Sequence, residues 1–259
     1  MKGEYKLNTQ ENLKMGETMY KQFTEQYFLP EIKKRQEDGR MPMTVGINRM
    51  QVIFFPEKRS PLIRLNNEVA ILLNVKSKPG IKITPGQIVG LDEIDKIIKF
   101  NLVEKEYKDC GHITFLLNKG NWDILFDFRY NKGYTREHLK NAKEFYETAK
   151  FSFSKNFIAP FIDNLFNSAE LLAKSELLLL PDENFRKKTK HVAIKTKFNR
   201  WYKLGNVNKE FKDTLNKLSN LRPELRYLQK EKIISDKENE NFLNVVKEWI
   251  EYVEYLLNI

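Results

Sequence analysis

The chain has 259 residues, of which 41% are hydrophobic and 31% charged, and its formal net charge is +10; these values indicate one or two folded domains. Its one cysteine, Cys110, rules out an internal disulfide, and its three histidines are too dispersed for a zinc pattern, so we expect no metal and no cofactor. The longest apolar run, residues 177–180, is far too short to span a membrane, and the N-terminus lacks the apolar core of a signal peptide. We therefore expect a cytoplasmic protein with no membrane partner.

The first part of the chain has the pattern of one helix followed by strands. Residues 9–38 carry an apolar stripe at helical spacing, with a possible kink at Pro30 and an end at Gly39. Residues 46–130 change to strand character: Trp122 to Tyr130 alternate apolar and polar residues, and residues 118–121 form a hairpin turn after a strand at 112–117. Further strands are predicted at 50–55, 68–75 and 97–103. We expect residues 1–130 to form a domain with a helix and a small antiparallel sheet of about five strands, and its role is not predicted.

From Thr135 onward the apolar residues recur at helical spacing. A first helix is followed by a long apolar one over residues 157–180, a third whose inner stripe is His191, Ile194, Phe198 and Trp201, and a fourth around residues 211–218. Residues 235–238, Ser-Asp-Lys-Glu, form a capping box that opens a last helix. The sequence therefore predicts an α+β chain in which residues 131–259 are an all-helical bundle.

The positive charge is concentrated in that bundle. Residues 186–226 contain 13 Lys and Arg and 3 Asp and Glu, so this stretch accounts for the whole net charge. Such a basic surface attracts polyanions, above all nucleic acid. We expect the lysines to contact phosphates without reading bases. The residues concerned are Lys187, Lys188, Lys195 and Lys197.

The helical half resembles the HEPN domain, a nucleotide- and RNA-handling module of bacterial toxin and defence proteins. Three segments in order carry the resemblance: a long second helix with an Ala-Glu-Leu segment at residues 169–171, the helix from Lys190 to Trp201, and residues 221–227, Leu-Arg-Pro-Glu-Leu-Arg-Tyr. The last lies where the family has its signature, an Arg followed after four to six residues by His. No such resemblance covers residues 1–130.

The resemblance implies a metal-independent endoribonuclease in which two paired domains line a groove with Arg and His. RNA supplies its own nucleophile, the 2′-hydroxyl, so a base near neutral pKa and an Arg that braces the phosphate suffice. Carried over to this chain, the signature Arg is Arg222, but the His position is Tyr227, and Pro223 stands where active members have a small polar residue. A phenol is a poor base at neutral pH.

Three further groups remain as candidates. His191 is a second candidate catalytic residue, because Arg186 and His191 also have the signature spacing. This segment lies before the third helix rather than at the signature position, and His191 heads an apolar stripe, so a packed, hydrogen-bonded histidine is the simpler explanation. Asn167 and Glu170 lie on one face of the second helix with Asp163 and Lys174, either lining the groove or forming an exposed stripe with a Glu170–Lys174 pair. Arg226, like Arg222, either holds RNA or pairs with a helix carboxylate such as Glu170 or Glu224.

Two classes of function follow from these residues. The first is a HEPN module that binds RNA or a nucleotide without an intact Arg–His pair, alone or beside a protein partner such as a nucleotidyltransferase, in a toxin–antitoxin or phage-defence system. The second is an active endoribonuclease that leaves 2′,3′-cyclic phosphate ends. In both we expect a homodimer through residues 131–259, with Arg222 near its symmetry mate.

Overall fold

The structure is a computed structural model that describes residues 9–57, 59–182, 186, 190–226 and 235–258; the side chains of residues 9–13, 91 and 226 lie outside that description. The chain divides into two compact units, with the division between Phe128 and Arg129. The chain has the α+β fold class expected from the sequence, with a helix and antiparallel sheets followed by a bundle of helices.

The N-terminal unit opens with helical segments that together cover the one helix predicted over residues 9–38. Helix α1 spans Thr9–Phe23, a π-helical turn spans Thr24–Phe28, and helix α2 spans Leu29–Glu37. Pro30 lies in the first turn of α2. Because proline has no backbone N–H, it cannot donate a helical hydrogen bond to a carbonyl of the preceding segment. The proline therefore marks the irregularity that the sequence predicted there.

The sheet region differs from the single five-stranded sheet that we expected. The described strands are β1 Arg49–Phe54, β2 Leu62–Leu65, β3 Ile71–Ser77, β4 Ile94–Leu102, β5 Gly111–Asn118 and β6 Asn121–Asp127. They form an antiparallel four-stranded sheet in the order β2-β1-β5-β6 and a separate β3-β4 pair. Strand β2 escaped prediction because its four residues follow a proline and are too few to show a period.

The turn between β5 and β6 forms as predicted. Asn118 pairs with Asn121, and the two residues between them, Lys119 and Gly120, both have positive φ, at 48° and 84°. Two consecutive positive φ values give the turn that matches the right-handed twist of a hairpin, and glycine takes the second position without strain. The turn sets the register that places Ile113 opposite Phe126.

The four-stranded sheet of the N-terminal unit has two different faces. One carries Met50, Val52, Ile113 and Phe115, which pack with Phe28 in an apolar core. The opposite face buries polar side chains: Gln51 Nε2 donates to Thr114 Oγ1 at 2.9 Å, and His112 Nδ1 lies 3.3 Å from the same oxygen. Buried polar groups need such partners, since an unpaired one is costly to remove from water.

The C-terminal unit is helical throughout its described length. Its helices are α3 Lys132–Ser154, α4 Ile158–Leu178, α5 His191–Lys203, α6 Lys209–Arg226 and α7 Asp236–Asn258. Ser235 Oγ accepts a hydrogen bond from the Glu238 N–H at 3.3 Å, which is half of the predicted capping box. Among the described helices, none combines the length and the apolar composition needed to cross a lipid bilayer.

The core of the helical unit is built on α4 and α7. Phe161, Leu165 and Leu172 of α4 are fully buried, and Trp249 of α7 stacks on Phe211 with ring centroids 4.9 Å apart. Trp249 Nε1 also donates a short hydrogen bond to Glu176 Oε1 on α4. Burial raises the pKa of Glu176 to about 8, since the charged carboxylate loses its hydration there.

Candidate functional site

The candidate site is built on the face of α4 that α5 and α6 contact. Asp163, Phe166 and Glu170 lie three and four residues apart, so helical geometry places them on one side of the helix. Phe166 and Glu170 are buried, while Asp163 is half-buried. An apolar ring flanked by two carboxylates offers a place for two nitrogen donors, and side chains from α5 and α6 occupy it.

Arg222 reaches this face from α6. Its Nε donates to Asp163 Oδ1 at 2.5 Å, and its guanidinium carbon lies 4.9 Å from the centroid of the Phe166 ring. Asp163, rather than Glu170, is therefore the helix carboxylate of Arg222. The bond to Asp163 uses Nε and does not involve the two terminal amino groups of the guanidinium. Those two groups can therefore donate a pair of hydrogen bonds to a phosphate.

His191 reaches the same face from the first turn of α5. Its Nδ1 lies 2.6 Å from Glu170 Oε1 and 2.5 Å from Oε2. The His191 side chain is 67% exposed, whereas that of Glu170 is only 10% exposed. The prediction that His191 belongs to the inner stripe of α5 is therefore wrong; Ile194 and Phe198 are the buried residues of α5. The predicted exposed stripe on α4 is also wrong, because Glu170 is buried, although the charge of Glu170 still interacts with Lys174.

The carboxylate determines which nitrogen of His191 can do chemistry. When Nδ1 donates to a carboxylate, the neutral ring keeps its lone pair on Nε2, which is the arrangement of a general base. The ring centroids of His191 and Phe166 are 6.3 Å apart. With Arg222 on the same Phe166 ring, the guanidinium carbon and the imidazole centre are no more than about 11 Å apart. We call Arg222, His191, Asp163, Glu170 and Phe166 the Arg–His centre.

Lysines that the sequence grouped together lie on different flanks of α5. Lys195 Nζ donates to Ser219 Oγ at 3.1 Å and to Asn220 Oδ1 at 3.4 Å, both on α6. Lys197 forms a short ion pair with Asp182 instead. Residues two apart in a helix are rotated by roughly 200°, so these two lysines do not face one surface.

The flank that carries Lys197 has a shallow depression of about 490 Å³. Three of its lining side chains are cationic and the others are small or apolar. They are Lys190, Val192, Ala193, Thr196, Lys197 and Arg200.

Other predicted site residues lie elsewhere or outside the description. Asn167 is half-buried on α4, one residue after Phe166. Tyr227, Lys187 and Lys188 lie outside the described residues, as does the side chain of Arg226, which ends α6. The other histidine of this unit, His138 on α3, has its pKa lowered by burial and by nearby Lys174.

The sequence identified Arg222, His191 and Glu170 as candidates but did not connect them. The polar face at 163, 167, 170 and 174 was visible as a helical spacing, but Phe166 was not part of it. Asp163 lies 59 residues from Arg222, and Glu170 lies 21 residues from His191. No local pattern predicts such pairs. Among the described residues, no group of three or more His, Cys, Asp or Glu is arranged to hold a metal ion.

Comparison with known proteins agrees with the resemblance seen in the sequence. No curated protein sequence matches the chain closely enough to count as a relative. A family model does match, over residues 135–256, and the match lies entirely within the helical unit. The C-terminal half of this chain is therefore a HEPN domain.

Proposed function

We propose that the HEPN domain binds RNA at the Arg–His centre and cleaves it without a metal. A HEPN domain supports a function related to RNA or nucleotides in general. The observation that carries the proposal is that Arg222 and His191 lie against one ring, Phe166, and that a different α4 carboxylate holds each of them. This differs from the sequence-based expectation of a domain without an intact Arg–His pair, because we assign the base to His191 and not to the residue at the family's His position, Tyr227.

The chemistry follows from the groups that the two carboxylates leave available: the terminal amino groups of Arg222 and Nε2 of His191. His191 Nε2 takes the proton of the RNA 2′-hydroxyl, whose oxygen attacks the adjacent phosphorus. The bond from phosphorus to the 5′-oxygen breaks, and that oxygen takes up a proton from solvent. Arg222 holds the phosphate oxygens as their negative charge grows. The products are a 2′,3′-cyclic phosphate and a 5′-hydroxyl.

A second candidate is a module that binds RNA or a nucleotide and does not cut it. The observation that favours it is the residue at the family's His position, Tyr227, whose phenol is a poor base. Arg222 alone would still hold a phosphate.

A role in a toxin–antitoxin or phage-defence system, with or without a nucleotidyltransferase partner, fits either candidate. Growth arrest when the protein is expressed, and its loss in Arg222→Ala, would support such a role.

The test is cleavage of single-stranded RNA by the full chain in the presence of EDTA. We expect products that end in 2′,3′-cyclic phosphate, loss of activity in Arg222→Ala, and a loss of about 10²–10⁴-fold in His191→Ala. Tyr227→Phe should change the rate little. His138→Ala is the matched control, since it removes a histidine that takes no part in the Arg–His centre.

Two outcomes would decide against cleavage at this centre. Activity that survives His191→Ala but is lost in Tyr227→Phe would move the base to position 227. Binding that depends on Arg222 without any cleavage would establish the second candidate instead.

A further inference from the structure

A line of polar contacts runs along α5 and α6 away from the Arg–His centre. Lys195 bonds to Ser219, one turn of each helix from His191 and Arg222. One turn further, Asn199 and Asn216 exchange two hydrogen bonds, with Nδ2 to Oδ1 distances of 3.1 and 2.8 Å. These contacts step four residues forward in α5 and three back in α6, so they form one continuous line.

The line ends at an aromatic ring. Lys212 Nζ lies 4.5 Å from the centroid of the Tyr202 ring, three residues beyond Asn199 on α5. From residue 191 to residue 202 the helix rises by roughly 16 Å. We call the residues beyond the centre, Lys195, Asn199, Tyr202, Lys212, Asn216 and Ser219, the α5–α6 seam.

The seam is accessible, and its groups retain hydrogen-bonding capacity. All six of its side chains are half-buried rather than sealed under apolar residues. The contacts of Lys195 within the described part of the chain are with neutral oxygens, so its charge is not cancelled there. Each Asn amide has two donor hydrogens and an acceptor oxygen with two lone pairs, and the reciprocal pair uses only one of each.

We infer that the α5–α6 seam holds single-stranded RNA as it extends from the Arg–His centre. Lys195 contacts the next phosphate, the amides of Asn199 and Asn216 contact a base edge, and the ring of Tyr202 stacks on a base. Along the seam a cation, amide groups and an aromatic ring follow one another. They match the phosphate, the base edges and the base faces of single-stranded RNA, whose bases are unstacked and accessible. The inference rests on the proposed function and specifies its ligand: an oligonucleotide of several residues rather than a mononucleotide.

The test compares a short and a long ligand that the protein cannot cut. We would measure binding of 2′-O-methyl oligoadenylates of two and eight residues by fluorescence anisotropy, since these lack the nucleophile. The octamer should bind more tightly than the dimer. Tyr202→Leu should weaken octamer binding by roughly 5- to 100-fold, the usual effect of losing one stacking ring, and leave dimer binding unchanged.

Lys195→Gln and Lys197→Gln provide a matched pair of charge changes. Lys195→Gln should weaken octamer binding and reduce the slope of its logarithm against the logarithm of salt concentration by about one. Lys197→Gln, on the opposite flank of α5, should do neither.

Each contrary result has a distinct meaning. Equal affinity for the two lengths, or octamer binding unaffected by Tyr202→Leu, would overturn the seam and leave cleavage at Arg222 intact. Seam variants that change the molecular mass in solution but not RNA affinity would show a protein-binding surface and overturn the inference. Absence of binding to either length would overturn both the seam and the proposed function.

Discussion

Glu170 illustrates how one buried carboxylate turns an exposed histidine into a defined chemical group. Without it, the His191 ring at the start of α5 would rotate freely and share its proton between two nitrogens. The short contacts from Nδ1 to both carboxylate oxygens fix the ring and its tautomer. In the proposed mechanism Glu170 is thus a positioning residue, which acts on RNA only through His191.

We predict that Glu170→Gln lowers kcat by about 10²–10⁴-fold, because an amide no longer selects the tautomer with the lone pair on Nε2. KM should stay near the wild-type value, since Arg222 and Asp163 are untouched. Steady-state kinetics on a short RNA would separate the two constants. A rise in KM with unchanged kcat would show that Glu170 serves binding or folding instead.

Glu176 has the opposite character, because it is buried in the core away from the centre. Burial raises the pKa of the Glu176 carboxyl group to about 8 in the folded domain, whereas the ordinary value of the unfolded chain is 4.5. At a pH between these values the carboxyl group is protonated in the folded domain and ionised in the unfolded chain. Between these two values the folded state binds more protons, so the free energy of unfolding should fall as pH rises, by up to about 1.4 kcal/mol per pH unit.

We predict that Glu176→Gln removes this dependence, because an amide can still accept from the Trp249 indole but does not ionise. Urea unfolding followed by tryptophan fluorescence at about pH 5 and about pH 8 would measure the difference. Glu248→Gln, at an exposed position of α7, is the control and should keep the wild-type slope. An unchanged slope in Glu176→Gln would assign the pH dependence to other groups.

At the level of the elements, repeating patterns were predictable and pairings were not. The alternation from Trp122 predicted β6, and the capping box at residues 235–238 predicted the start of α7, because each pattern lies within one segment. The separation of the strands into a sheet of four and a pair depends on contacts between distant segments. A local period carries no information about these.

The same limit applies to the site. The basic composition of residues 186–226 was visible in the sequence, but its arrangement on α5 was not. Lys195 and Lys197 looked like one phosphate-binding group, whereas the helix turns one toward α6 and the other toward Asp182. His191 was assigned inward because it continued an apolar spacing, and the buried Glu170 that holds it outward lies on another helix.

For the whole molecule, the open question is whether the Arg–His centre is completed within one chain or across two. HEPN domains often dimerise. We propose that this chain does so through residues 131–259, which light scattering at micromolar concentration would test as a mass twice that of the 30.9 kDa chain. Within one chain, Arg222 and His191 both contact the same Phe166 ring, which indicates that each chain contains a centre with both residues.

Mixing two inactive variants distinguishes these arrangements. If each centre forms within one chain, both centres of a mixed dimer are incomplete: the Arg222→Ala chain lacks the Arg, and the His191→Ala chain lacks the His. We therefore predict that co-expressing or co-refolding the two variants restores no cleavage. If the Arg of one chain works with the His of the other, random pairing would leave one intact centre in half of the dimers and restore about a quarter of the wild-type rate. Wild-type chains carried through the same procedure control for losses in refolding. Restoration to that level would place the working Arg–His pair across the symmetry axis and leave the contacts within one chain as supports for it.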